Sequence, residues 1–107
     1  MSKEQIENNM NFLMYGEIIG RIKVETLASD LPKIRVDLHG MNRRNACRLI
    51  GNIISINRFP FLLDVIHGYN HGTVLKEMIN NEKFSTRVIN RECPAWNPGE
   101  TLMSIAA

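Results

Sequence analysis

The sequence predicts an α/β domain in the order β-α-β-α-β-β, preceded by an N-terminal helical segment. Four short stretches read as strands: Lys33 to His39, Phe61 to Ile66, Thr86 to Ile89 and Thr101 to Ile105. Two stretches, after Asn42 and after Thr73, carry their apolar residues at helical spacing. Glycine-bearing turns stand where the first two strands pass into those helices, at Gly40 and at Gly68 to Gly72.

From Lys3 to about Met14, Ile6, Met10, Leu13 and Met14 form one apolar helical stripe. Gly16 and Gly20 interrupt the pattern, and Ile18, Ile19, Ile22, Val24 and Leu27 read as a second helical piece or as irregular structure before Leu31-Pro32. Residues 1–30 are therefore set apart as a helical extension and residues 31–107 as the domain. In the first strand Ile34, Val36 and Leu38 alternate with Arg35, Asp37 and His39, and Gly40 stops the run. Side chains repeat every second residue in a strand, so Asp37 and His39 are expected to leave one face roughly 6–7 Å apart. A carboxylate beside an imidazole is the composition of a tuned general base.

Asn42 is placed to cap a helix with Ala46, Leu49, Ile50, Ile53 and Ile54 on its apolar side. Arg43 and Arg44 fall in its first turn, where the helix dipole disfavours cations, and a bound phosphate would offset that cost. FLLDVI, bounded by Pro60 and Gly68, suits a strand covered on both faces. It leads into His67-Gly68-Tyr69-Asn70-His71-Gly72, a strand-to-helix loop of the kind whose backbone N–H groups receive anions. Since ligands collect beyond the carboxyl ends of strands in such folds, Asp37, His39, His67 and this loop are expected at one edge.

A chain of 107 residues is one domain in length, with 44% hydrophobic and 22% charged residues. No apolar run nears the ~20 residues of a membrane span and the N-terminus is polar, so no membrane role and a cytoplasmic location are expected. Cys47 and Cys93 form no ligand-spaced pair, and Cys47 reads as a small core residue. Net charge is +2 but uneven: between Lys33 and Arg58 six basic residues accompany one acid, Asp37, which favours a polyanionic partner.

Asp37-Leu38-His39-Gly40 before a helix containing Ala46, His67-Gly68 followed by Gly72-Thr73, and Asn97-Pro98-Gly99-Glu100-Thr101 before the last strand resemble, in order and spacing, the motifs of the Smr (small MutS-related) domain family. The resemblance covers about two thirds of the chain, Ile34 to Ile105. Asn70, with His71 before Gly72, departs from the family's HGxG loop, Tyr69 replaces its usual basic residue, and Trp96-Asn97 stand in place of a glycine pair. Tyr69 and Trp96 are flat rings suited to stacking on a base.

The resemblance implies a two-layer sandwich with a mixed four-stranded sheet, similar to the C-terminal domain of a bacterial translation initiation factor. It implies binding to RNA or DNA, with messenger RNA on ribosomes a substrate of some members, and endonuclease activity. By carry-over, Asp37, His39 and His67 are the catalytic residues. Gly40, Arg43, Arg44, Gly68, Tyr69, Asn70, His71, Gly72 and Gly99 are the nucleic-acid contacts. Attack by an RNA 2′-hydroxyl needs no metal, whereas attack by water on DNA favours a divalent ion such as magnesium held by Asp37. The competing readings are a non-catalytic nucleic-acid-binding module, a zinc centre built from Asp37, His39, His67 and His71, and an interaction protein working through its N-terminal helix.

Overall fold

The computed structural model describes residues 3–10, 20–26, 31–68, 74–94 and 96–107. Among these it contains three helices and a five-stranded mixed sheet: α1 (Lys3–Asn9), β1 (Ile22–Thr26), β2 (Pro32–Asp37), α2 (Arg43–Ile56), β3 (Phe61–Ile66), α3 (Val74–Asn81), β4 (Val88–Glu92) and β5 (Glu100–Ile105). The strands lie in the order β1-β2-β3-β5-β4. β2 and β3 are parallel and joined through α2, while β1 pairs antiparallel with β2, and β5 with both β3 and β4.

The α/β class stands, but the expected four strands become five. The additional strand, β1, comes from the stretch read as helical or irregular. Its apolar residues, Ile22 and Val24, are two apart and alternate with Lys23 and Glu25, a spacing that fits a strand better than a helix. Ile22 and Val24 pair with Val36 and Ile34 of β2 and are buried. β1 thus covers an edge of β2 that would otherwise expose unpaired backbone groups. Strand limits also move: β2 ends at Asp37, so His39 lies past the strand, and β4 runs from Val88 rather than from Thr86.

Register explains the core. Ile34 pairs with Leu63 and Val36 with Val65, while Leu63 pairs with Met103 and Phe61 with Ile105. All seven are buried, with Ala46, Leu49, Ile50, Ile53 and Ile54 of α2 and Met78 and Ile79 of α3 in the same cluster. Ile6 and Met10 of the N-terminal segment join it too. Cys47 packs partly buried against this cluster, as expected of a small core residue.

Helix ends carry specific caps. Asn42 adopts extended geometry and its side chain accepts from the Asn45 N–H, closing the start of α2. At the other end, Arg87 donates to the carbonyls of Ile54, Asn57, Phe59 and Ala106, tying the end of α2 to the last strand. Arg91 does the same for α3 through Ile79 and Glu82. Two cations of the basic half of the chain are therefore spent on backbone carbonyls.

Candidate active site at the carboxyl ends of β2 and β3

The turn after β2 is fully specified by backbone accounting. The Asp37 N–H donates to the Arg21 carbonyl, Leu38 N–H to Ile66 and Met41 N–H to Leu38. The His39 N–H donates to Asp37 Oδ1 at 2.8 Å, so the carboxylate closes a small side-chain turn on the residue two ahead. Gly40 takes φ +81°, where a Cβ would be strained. The expectation that strand periodicity would project Asp37 and His39 from one face is replaced by this turn. Asp37 sits at the end of β2 and His39 is turned out beyond it, both exposed.

Arg21, just before β1, completes the turn. Its Nη1 donates to the Asp37 carbonyl at 3.0 Å and to the His39 carbonyl at 2.8 Å. Nothing in the local sequence marks Arg21: its partners lie 16 and 18 residues away, and only the β1–β2 pairing brings it near.

The second loop meets the first directly. Gly68 has φ +73°, and a Cβ built there would lie 3.5 Å from His39 Nδ1. A Cβ there would make ordinary van der Waals contact with the His39 ring, so it is the positive φ that favours glycine at residue 68. The N–H groups of His67 and Gly68 both donate to the Gly99 carbonyl, at 2.8 and 3.0 Å, and the Gly99 N–H donates to Asn97 Oδ1. The first two donors tie the start of this loop to the turn at Gly99, and the third closes that turn on itself. Tyr69, Asn70, His71 and Gly72 lie outside the described residues.

His67 is 4% exposed. Its Nδ1–H donates to the Gly68 carbonyl at 2.9 Å, which fixes the tautomer because a carbonyl only accepts, and its Nε2 accepts from the Thr101 hydroxyl at 2.9 Å. Burial pushes its pKa down, opposed by the Gly68 bond and helped by Lys76, so it is a neutral imidazole at pH 7. Thr101 and Gly99 are therefore what place His67.

Arg43 donates to Glu82 at 2.9 Å, so its position in the first turn of α2 has an ion-pair explanation. Arg44 beside it is exposed. For a metal, Asp37 Oδ1 is engaged by a backbone N–H and His67 by two partners. Among the described residues no group of three or more His, Cys, Asp and Glu is arranged to hold an ion, and His71, the fourth residue of the zinc reading, lies outside them.

On the other face of the sheet, Asp64 is 1% exposed and accepts from Arg35 Nε at 3.0 Å, with Lys33 Nζ at 3.5 Å. Its Oδ1 receives no N–H or hydroxyl donor. The group beside it is the Glu100 carboxyl, whose pKa is raised by hydrogen bonding to Asp64, by desolvation and by the Asp64 charge, against Arg35 and Lys33. A cavity of about 390 Å³ opens above this pair, with Trp96 on its rim, 84% exposed. Trp96 thus stands clear of its own loop.

No family model, no curated protein and no solved structure matches the chain.

Proposed function

We propose that this chain is a Smr-like, nucleic-acid-binding α/β domain that cleaves phosphodiester bonds, with RNA favoured over DNA. The observation that carries the reading is the packing of the Asp37–Gly40 turn against Gly68, which sets an exposed imidazole on a rigid turn at the carboxyl edge of two parallel strands. The motif resemblance supports the same edge.

In the proposed reaction His39 takes the proton of an RNA 2′-hydroxyl, whose oxygen attacks the adjacent phosphorus. The bond to the 5′ oxygen breaks, that oxygen gains a proton, and the products are a 2′,3′-cyclic phosphate and a 5′-hydroxyl end. Asp37 acts by holding the backbone of His39. His67, with both nitrogens engaged, is a positioning residue that locks the second loop to β5. Gly40 and Gly68 supply the positive-φ turns, Gly99 the carbonyl that receives the His67 and Gly68 N–H groups, and Arg44 positive charge alongside, while Arg43 is held by Glu82. Tyr69, Asn70, His71 and Gly72 are assigned to the strand entering the site. The ribosome stays a candidate setting for the substrate.

One observation favours the non-catalytic module: the His67 imidazole and the Gly68 N–H are already satisfied within the protein. End-group analysis separates the two. An RNA oligonucleotide is expected to yield cyclic-phosphate and 5′-hydroxyl ends in EDTA, and a 2′-deoxy substitution at the cut position is expected to stop the reaction there. Tight binding with intact RNA under every condition would establish the module instead.

A further inference from the structure

α2 carries no acidic residue, and its exposed positions are Arg43, Arg44, Asn45, Arg48, Asn52 and Ser55. At 100° per residue, Arg44, Arg48, Gly51 and Ser55 fall on one narrow stripe about 17 Å long, and exposed Arg58 follows just past the helix. Unlike Arg43, none of Arg44, Arg48 and Arg58 forms an ion pair among the described residues. Beside the end of the stripe, Gly51, Ser55, Arg58, Ser85 and Arg87 line a cavity of about 440 Å³.

Gly51 is the second observation. Glycine inside a helix is among the worst choices for stability, and it is retained where something must approach the backbone closely. Beyond its own helical turn and chain neighbours, nothing lies within 4 Å of a Cβ built at Gly51, so packing within the fold does not require it. The open space sits midway between Arg48 and Ser55, on the cationic stripe.

We propose that a single-stranded polynucleotide runs along this face of α2, its phosphates meeting Arg44, Arg48 and Arg58 and its backbone passing close over Gly51 into the cavity beside Ser85. This rests on the nucleic-acid reading above and names the path of the strand leaving the site, since α2 begins three residues after Gly40. Ammonium-like point contacts are not needed: arginine forks grip phosphate oxygens in pairs, and the Asn and Ser side chains between them donate to the same backbone. Arg43, held by Glu82, lies outside the path.

The test is anisotropy of a labelled single-stranded RNA 12-mer over a salt series, using His39→Ala as the parent so that the RNA stays whole. Arg48→Gln with Arg58→Gln is expected to lower the salt slope by about 1.4, at ~0.7 per phosphate contact on single strands. Arg43→Gln is expected to leave it unchanged. Gly51→Gln should raise the melting temperature by about 3 °C, from helix propensity, and weaken RNA binding several-fold. Opposite signs in one variant are the signature. Unchanged affinity in Gly51→Gln and an unchanged slope in the arginine double variant would overturn the path, as would equal dependence on these residues for polyglutamate or for phosphatidylserine vesicles. Cleavage by the wild type with these slopes unmoved would sink the path alone; reduced slopes in a protein that never cleaves would sink the catalytic reading alone.

Discussion

Arg21 shows how one side chain can hold a turn together from outside it. Its guanidinium bridges the Asp37 and His39 carbonyls, and charge-assisted bonds of this kind contribute more than neutral ones where water is limited. The site is exposed, so the effect on stability is small. Arg21→Met is expected to cost about 1 kcal/mol by chemical denaturation and to speed amide exchange at His39 more than at Leu38, whose N–H is held by Ile66. Equal exchange in the variant and the parent would remove Arg21 from the turn.

Two titrating side chains act in opposite directions. The His67 pKa is lowered, so between its folded value and the ordinary histidine value near 6.5 the unfolded chain holds more protons. Its contribution is present above that range and lost as pH falls through it. The Glu100 pKa is raised, so the folded chain holds more protons over the range above the ordinary glutamate value. Its contribution is present at low pH and lost as pH rises through that range. Glu100→Gln keeps a donor for Asp64 at every pH. We expect it to remove the loss of stability on the rise from pH 4.5 to 7, read as melting temperature against pH; a variant with the same slope as the wild type would break this account.

At the scale of elements, the loops are built by mutual constraint. Gly68 takes a positive φ in van der Waals contact with the His39 ring. Gly68→Ala is therefore expected to cost about 1–2 kcal/mol from left-handed strain and to leave the His39 ring in place. At the far end, Arg87 satisfies four carbonyls, and its replacement by Ala leaves those groups without their donor. A loss of about 2–4 kcal/mol is expected for Arg87→Ala, against under 0.5 kcal/mol for exposed Arg44→Ala, both by urea unfolding.

The same elements mark what could be read in advance. α2 and β3 are legible because their apolar periodicity and boundary residues agree: Asn42 caps the helix, Pro60 and Gly68 bracket the strand. β1 escapes because two apolar residues in a five-residue strand are too few to set a period against the isoleucines around them, and its pairing with β2 is a tertiary fact. The edge carrying Asp37, His39 and His67 is legible because topology alone puts strand ends together. How each side chain is used is not. The Asp37 carboxylate turning to a backbone N–H, and His67 satisfied by Gly68 and Thr101, depend on partners two, one and thirty-four residues away.

For the molecule as a whole, the sheet and the site share residues on both sides of Leu31. β1 pairs with β2 over five residues and Arg21 reaches the Asp37–Gly40 turn, while Ile6 and Met10 sit in the core with α2 and α3. Truncation of residues 1–26 is therefore expected to strip an edge strand and two buried side chains, giving a chain that aggregates through the bared edge of β2. A soluble, cooperatively melting 27–107 fragment would contradict that. The charge of the molecule divides by role: Arg87 and Arg91 serve the fold, Lys33 and Arg35 serve Asp64, and Arg44, Arg48 and Arg58 are exposed along α2 and just past its end.

The central claim is that the imidazole of His39 does the chemistry on a phosphodiester. Its most direct test is single-turnover cleavage of labelled RNA with protein in excess, comparing the wild type with His39→Ala and measuring binding of the same RNA to both. Cleavage by the wild type is expected, with a fall of at least about 100-fold in the variant, from the usual 10²–10⁴ contribution of a general base, and RNA affinity within about twofold. Cleavage at equal rates in both proteins, or affinity lost together with cleavage, would contradict that claim.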